Sequence, residues 1–195
     1  MAWEQRKLGE RINFIGGATP YKANPKYWNG NIVWLSSQEI KAKYIYSGTY
    51  KITKKAIDDN VTKFVGKGTP LIVSRSGILA RMFPVSIPMV DVAINQDIKA
   101  LQFDHAKLNV DYVVSYLNAK EKYILHSIIK TGTTVQSVSM PDLNKMLFPI
   151  PGHTEQVKIG NLMMSLDHLI AANEYKLKST LKNQRCLKES FFNYL

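Results

Sequence analysis

The chain has 195 residues, 45% of them hydrophobic, which is enough for a sizeable core and excludes a largely disordered protein. No run of about 18 apolar residues occurs and the N-terminus lacks an apolar signal stretch, so a cytoplasmic protein with no membrane partner is predicted. The single cysteine, Cys186, excludes an internal disulfide framework and a multi-cysteine zinc site.

The charge of the chain indicates an anionic partner. Lysine and arginine number 26 against 15 aspartate and glutamate residues, which gives a net charge of +11. The basic excess is concentrated before residue 153, and a surface of this sign attracts nucleic-acid phosphates. A basic surface that serves solubility alone is the alternative.

Strand-like and helix-like segments alternate irregularly before residue 148. Short β-branched or alternating runs predict strands at residues 31–35, 71–74, 90–94 and 98–103. Apolar residues at helical spacing predict one helix over about 109–129, with Asn109 as its N-cap and Gly132 beyond its end. This order predicts an α+β domain spanning residues 1–150.

A long helix is predicted after the Pro-rich segment 148–152. Thr154 is the expected N-cap, and no proline follows before Leu195. Steps of three and four residues give a mostly apolar seam, which predicts a coiled-coil helix over residues 151–195 that pairs with a second helix. Its predicted dimerisation residues are Met163, Leu166, Ile170, Asn173, Leu177, Leu187 and Phe191. A helix folded back on the domain is the alternative.

Catalytic motifs are not apparent in the sequence. The segment 66–69 (GKGT) lacks the spacing of a phosphate-binding loop, and the four histidines are scattered, so neither a cofactor nor a metal is predicted. Asn24-Pro25-Lys26-Tyr27 resembles the Asn-Pro-Pro-Tyr/Phe motif of DNA adenine methyltransferases. Lys26 replaces the second proline, however, and no methyl-donor loop precedes it, so a non-catalytic binding protein is predicted.

Several segments, in order along the chain, resemble one family. They are WEQRKLGE (3–10), GGATP (16–20), YWNGNIVWL (27–35), GTPLIVSRSG (68–77), PIP (149–151), EQVKI (155–159) and LD (166–167). They are similar to the DNA specificity subunits of type I restriction–modification enzymes, including their Gly-x-Thr-Pro and Tyr-Trp-x-Gly-x-Ile-x-Trp signatures.

The resemblance implies a reader of a split double-stranded DNA target. A full specificity subunit has two target-recognition domains joined by two long antiparallel helices, which dock methyltransferase subunits and, through them, the restriction subunit. With one domain and one helix, this chain resembles half of such a subunit. A homodimer of natural half-subunits or a fragment of a longer protein is therefore expected.

Polar loops of the domain are the candidate DNA contacts. Arginine or lysine suits guanine and phosphate, whereas asparagine or glutamine suits adenine. The predicted DNA-binding residues are Lys22, Asn24, Lys26, Tyr27, Ser36, Gln38, Arg75, Ser76, Arg81, Asn95, Gln96, Lys130, Thr131, Thr133, Thr134 and Gln136. Ordinary polar loops are the alternative for each residue, and an RNA-binding or structural coiled-coil protein is the alternative function.

Overall fold

The predicted α+β architecture, a sheet domain followed by a long helix, is confirmed. A computed structural model describes residues 3–132 and 135–192, without the side chains of residues 186–188 and 190–192. The strands are β1 (Glu4–Lys7), β2 (Asn13–Gly16), β3 (Trp28–Leu35), β4 (Tyr44–Ile45), β5 (Tyr50–Ile52), β6 (Lys63–Val65), β7 (Leu71–Val73), β8 (Val85–Pro88), β9 (Val92–Ile94), β10 (Ile98–Gln102), β11 (Ile129–Lys130), β12 (Ser137–Val138) and β13 (Leu147–Ile150). The helices are α1 (Lys54–Asp58), α2 (Val110–Ala119), α3 (Glu121–Tyr123), α4 (Met140–Lys145) and α5 (His153–Phe192).

Two mixed sheets form the domain. One has the order β2-β10-β7-β8-β4 and the other has the order β5-β3-β9-β6. In the second sheet β3 and β9 run parallel, with Trp34 opposite Ala93 and Leu35 opposite Ile94. The chain therefore leaves both strands at the same edge of the sheet.

The hydrophobic core explains why the apolar runs form strands. All residues of β7 are buried, as expected for a strand covered on both faces. The main core cluster joins β7 to Leu35, Ile94 and Val113, and a smaller cluster contains Trp34, Ile52, Ala56 and Ala93. Thus β3 directs alternate side chains into two clusters.

The four predicted strand segments correspond to β3, β7, β9 and β10, but the single helix over 109–129 is wrong in its second half. Helix α2 ends at Ala119, and a turn of π-helix over Ile124–Ile128 follows α3. At this break the Glu121 carboxylate accepts a hydrogen bond from the backbone N–H of Phe83 at 2.8 Å. The wider turn keeps Ile124 and Ile128 buried, which explains why their apolar spacing suggested one continuous helix.

Helix α5 begins at His153, where the Gly152 carbonyl accepts hydrogen bonds from the backbone N–H groups of residues 155 and 156. The prediction of Thr154 as N-cap is therefore wrong. A Cβ added at Gly160 would lie 2.9 Å from the Asp111 Cβ, so the glycine permits close packing of α5 on α2. From Ser165 onward every side chain with described exposure is exposed, so α5 does not fold back along the domain.

Candidate nucleic-acid interface

A polar cleft of about 600 Å³ opens where the chain leaves the parallel strands β3 and β9. Its lining residues are Lys22, Trp28, Asn29, Trp34, Ser36, Ser37, Gln38, Tyr50, Asn95 and Asp97. Four predicted DNA-binding residues, from three separate segments of the chain, therefore meet in one concave site.

Three aromatic rings form the apolar part of the cleft. Trp28 and Trp34 pack edge to face with ring centroids 5.4 Å apart, and Tyr50 lies 6.4 Å and 6.3 Å from them. The indole N–H groups donate to the carbonyls of Tyr21 and Ala18, both at 3.1 Å. These contacts hold both indole rings in fixed positions.

Asp97 organises the polar wall beyond β9. Its carboxylate accepts hydrogen bonds from the side-chain amides of Asn95 at 3.4 Å and Gln96 at 3.3 Å. The Gln96 carboxamide oxygen also accepts from the Thr19 hydroxyl at 3.0 Å. On the opposite wall, Ser36 caps the turn over Ser37–Glu39, where its N–H donates to the Glu39 carboxylate at 3.0 Å.

The backbone carbonyl of Asp97 connects the cleft to the end of β7. It accepts hydrogen bonds from the N–H groups of Ser74 at 2.7 Å and Arg75 at 3.3 Å. The next residue, Ser76, donates its N–H to the carbonyl of Gln136 at 3.1 Å, and its hydroxyl accepts from Ile78 N–H. Consequently the predicted segments around residues 75, 96 and 136 adjoin one another, with the Arg75 side chain exposed.

The short hairpin β11–β12 brings Lys130 beside this region, because Lys130 pairs with Ser137 and Ser137 forms an isolated bridge with Arg75. The Lys130 ammonium lies 3.4 Å from the Asp142 carboxylate. Hydrogen bonds from Ser139 and then from Lys130 lower the pKa of Asp142 below its ordinary value. Asp142 therefore stays ionised and partly neutralises Lys130.

The remaining residues of the hairpin loop were also predicted as DNA contacts. Thr131 is exposed at the tip of the hairpin. Thr133 and Thr134 lie outside the described residues.

Ten of the predicted residues that the structure describes do not line the cleft. Six of them, Arg75, Ser76, Gln96, Lys130, Thr131 and Gln136, lie in the segments described above, and four lie elsewhere. The Asn24 carboxamide oxygen caps the turn over Pro25–Tyr27 by accepting from Lys26 N–H at 3.1 Å, and the Lys26 side chain is exposed. The Tyr27 hydroxyl donates to Asp59 at 3.2 Å. Arg81 is exposed at the end of the turn over Gly77–Ala80. The methyltransferase-like motif therefore forms a capped turn whose Asn24 oxygen and Tyr27 hydroxyl already have protein partners.

Six residues of the cleft are absent from the predicted DNA contacts: Trp28, Asn29, Trp34, Ser37, Tyr50 and Asp97. Asp97 was not predicted because base and phosphate contacts were expected from basic, amide and hydroxyl side chains. These residues could have been grouped from the closeness of the ends of β3 and β9. That closeness follows only once the two strands are known to be parallel neighbours.

The seam of α5 is exposed along the part that extends past the domain. Leu166, Ile170 and Leu177 are 43%, 57% and 60% exposed, Asn173 is exposed, and Met163 is half-buried. Exposed Leu162, Leu169 and Leu181 widen this apolar stripe at spacings of three and four residues. The side chains of Leu187 and Phe191, also predicted for dimerisation, lie outside the described residues.

Neither a metal-binding cluster nor a membrane-spanning helix is found in the part of the chain that the structure describes. Within residues 3–132 and 135–192, no three or more His, Cys, Asp or Glu side chains are grouped so that they could hold a metal ion. None of the helices in this part of the chain combines the length and apolar character needed to cross a membrane.

Comparisons with known proteins agree with the resemblance. The chain is 31% identical over 167 residues to the type I restriction enzyme EcoR124I/EcoR124II specificity subunit of Escherichia coli, covering 85% of this chain and 41% of that protein. It is 28% identical over 200 residues to the MjaIX specificity subunit of Methanocaldococcus jannaschii, covering 98% and 43%. The chain thus spans about two fifths of the length of these curated relatives.

The fold also matches a solved structure. The crystal structure of the HsdS subunit from Thermoanaerobacter tengcongensis superposes with a TM-score of 0.64 at 18% identity, covering 88% of this chain and 39% of that chain. The family pattern described as the type I restriction modification DNA specificity domain matches residues 2–183. The chain therefore belongs to the type I restriction–modification DNA specificity domain family.

Proposed function

We propose that the chain recognises a base sequence in double-stranded DNA as the specificity component of a type I restriction–modification complex and catalyses no reaction itself. One observation carries this proposal: polar segments distant in sequence adjoin one another around Asp97. They belong to a chain with a net charge of +11. A basic domain that clusters amide, hydroxyl and guanidinium groups has the chemistry needed to contact both phosphates and base edges.

The side chains divide by the contacts they suit. The exposed carboxamide of Gln38 suits adenine, and the exposed guanidinium of Arg75 suits guanine, because both groups can form paired hydrogen bonds with those bases. Asn95 is only 5% exposed and its carboxamide is bonded to Asp97, so Asn95 supports the wall of the cleft rather than contacting a base. Lys22 and Lys130 suit phosphates, which carry no sequence information but fix the position of the domain on the duplex.

The two parts of the chain have separate proposed roles. Residues 1–150 serve as the DNA target-recognition domain, and residues 151–195, which include α5 (His153–Phe192), serve for dimerisation and for docking methyltransferase subunits, which in turn recruit the restriction subunit. The exposed stripe through Leu166 and Leu177 supports a second long helix as its partner. If a second copy of the chain supplies that helix, the dimer would place two domains on a split DNA target. We expect this assembly in the cytoplasm.

The DNA-binding role is tested by fluorescence anisotropy with duplex DNA that carries sites selected from a randomised library. Arg75→Ala should weaken binding about tenfold, because it removes a paired contact with a base. Lys178→Ala is the matched control, because it removes one positive charge, as Arg75→Ala does, but on the exposed part of α5. It should change the affinity for DNA little. Equal binding of single strands and duplex, or equal affinities of the two variants, would contradict the proposal.

The dimer is tested by light scattering. The wild-type chain should have twice the 22.1 kDa chain mass, whereas Leu177→Glu should be monomeric because charges then face each other in the seam. Tyr175→Glu is the control, since Tyr175 is 76% exposed and a two-residue step places it on the opposite side of the helix. A monomeric wild-type chain would exclude the homodimer.

A further inference from the structure

Asn29 is placed in the cleft by an irregularity of β3. In a regular strand, neighbouring residues point to opposite faces, yet Trp28 and Asn29 both line the cleft. The pairing of β3 with β5 shifts register here, so that Trp28 and Ile32 both lie opposite Ile52. Asn29 itself has a left-handed backbone with φ of +63°. This bulge therefore redirects the side chain of Asn29.

The neighbours of Asn29 hold this backbone conformation. A Cβ added at Gly30 would lie 2.3 Å from the Ile52 carbonyl oxygen, so β5 packs directly against the bulge. On the other side, the Trp28 indole is fixed by its hydrogen bond to the Tyr21 carbonyl. The local structure thus depends on the residues around Asn29 rather than on its carboxamide.

The residue type at this position is informative. Glycine adopts a left-handed backbone with the least strain, while asparagine tolerates it and adds an amide. The carboxamides of Asn24, Asn95 and Asn109 each contact protein groups, whereas within the described residues the exposed Asn29 carboxamide forms no such hydrogen bond. A free donor and acceptor pair therefore stands at the opening of the cleft.

We propose that Asn29 is a specificity-determining residue that reads an adenine of the target through its carboxamide. This inference rests on the proposed function. The carboxamide N–H of an asparagine can donate to adenine N7 while its carbonyl oxygen accepts from the N6 amino group, which makes a paired contact. The exposed side chain of Asn29 is accessible to a base edge, and Lys22, which lines the same cleft, is suited to a nearby phosphate.

The test is selection of bound duplexes from a randomised library by the immobilised full chain, followed by sequencing. The wild type should select a motif with adenine at the position that Asn29 contacts. Asn29→Gly keeps the left-handed backbone but removes the carboxamide. The enrichment of adenine over the other bases at that position should fall about tenfold, while base preferences at every other position of the motif stay unchanged. Asn29→Asp keeps the shape, lacks the donor, and should move the preference towards cytosine.

Asn60→Gly is the matched control. Asn60 also has a left-handed backbone, with φ of +58°, but it does not line the cleft. The motif that the Asn60→Gly variant selects should therefore equal that of the wild type. An unchanged motif in Asn29→Gly would overturn the role of Asn29 while DNA reading stands, and so would a uniform loss of binding to all sequences. A wild-type chain that selects no motif would overturn the proposed function and this inference together.

Discussion

Replacing Gln156 by leucine should detach the start of α5 from the domain, because Gln156 is a fully buried polar side chain with three hydrogen bonds. Its amide N–H groups donate to the carbonyls of Lys107 at 3.0 Å and Pro151 at 2.9 Å. Its carbonyl oxygen accepts from the Asn109 N–H at 2.9 Å. Leucine has a similar volume, so the change removes hydrogen bonds without leaving a large cavity.

The expected magnitude follows from these three contacts. Each hydrogen bond contributes about 1 kcal/mol net, and leaving buried partners unpaired costs at least as much, so the free energy of unfolding should fall by about 3 kcal/mol. With a denaturant dependence of about 2 kcal/mol per molar urea, the unfolding midpoint should fall by about 1.5 M.

The assay is equilibrium urea unfolding followed by circular dichroism for helix and by tryptophan fluorescence for the domain. Asn161→Leu is the matched control, since Asn161 is exposed on the same helix, away from the apolar seam, and the midpoint of this variant should change by less than about 0.3 M. Midpoints of Gln156→Leu and Asn161→Leu that agree within error would refute the reasoning.

Three further predictions concern packing, charge and pH. Gly160→Val should lower the free energy of unfolding by about 2 kcal/mol, because its Cβ would press on Asp111; a thermal midpoint equal to that of the wild type would contradict this. Asp142→Asn should release Lys130, raise DNA affinity and steepen its salt dependence, as measured by anisotropy at several salt concentrations; an unchanged slope would argue against a phosphate contact. Burial raises the pKa of Tyr112 from 10.0 to about 12. Since the unfolded chain releases this proton first, stability should be intact below pH 10 and fall between pH 10 and 12, and Tyr112→Phe should flatten that part of the unfolding profile.

Hydrophobic patterning predicted the elements whose burial is regular. The β7 segment and the long apolar spacing of α5 were clear in the sequence, because each reflects a local, repeated environment. The break at residue 120 was not predictable from spacing, because buried apolar residues continue at helical spacing across it. The hydrogen bond beside the break, from the Phe83 N–H to the Glu121 carboxylate, joins residues distant in sequence.

Part of the candidate site was also predictable, because some of its residues can be recognised from local sequence alone. Polar residues following strands identified Ser36, Gln38 and Asn95. The position of Asn29 depends instead on a register shift between β3 and β5, and the role of Asp97 depends on which strands are neighbours. Both are long-range properties that residue types alone do not encode.

The parallel arrangement of β3 and β9 separates packed residues from exposed ones over short distances along the chain. Trp34 and Ala93 are packed in the sheet, while Gln38 and Gln96, four and three residues later, are exposed beyond its edge. If the chain reads DNA as proposed, substitutions at exposed positions past the strand ends would change its target preference at little cost to folding. Asp97 marks the boundary of this freedom, because its backbone also holds the end of β7.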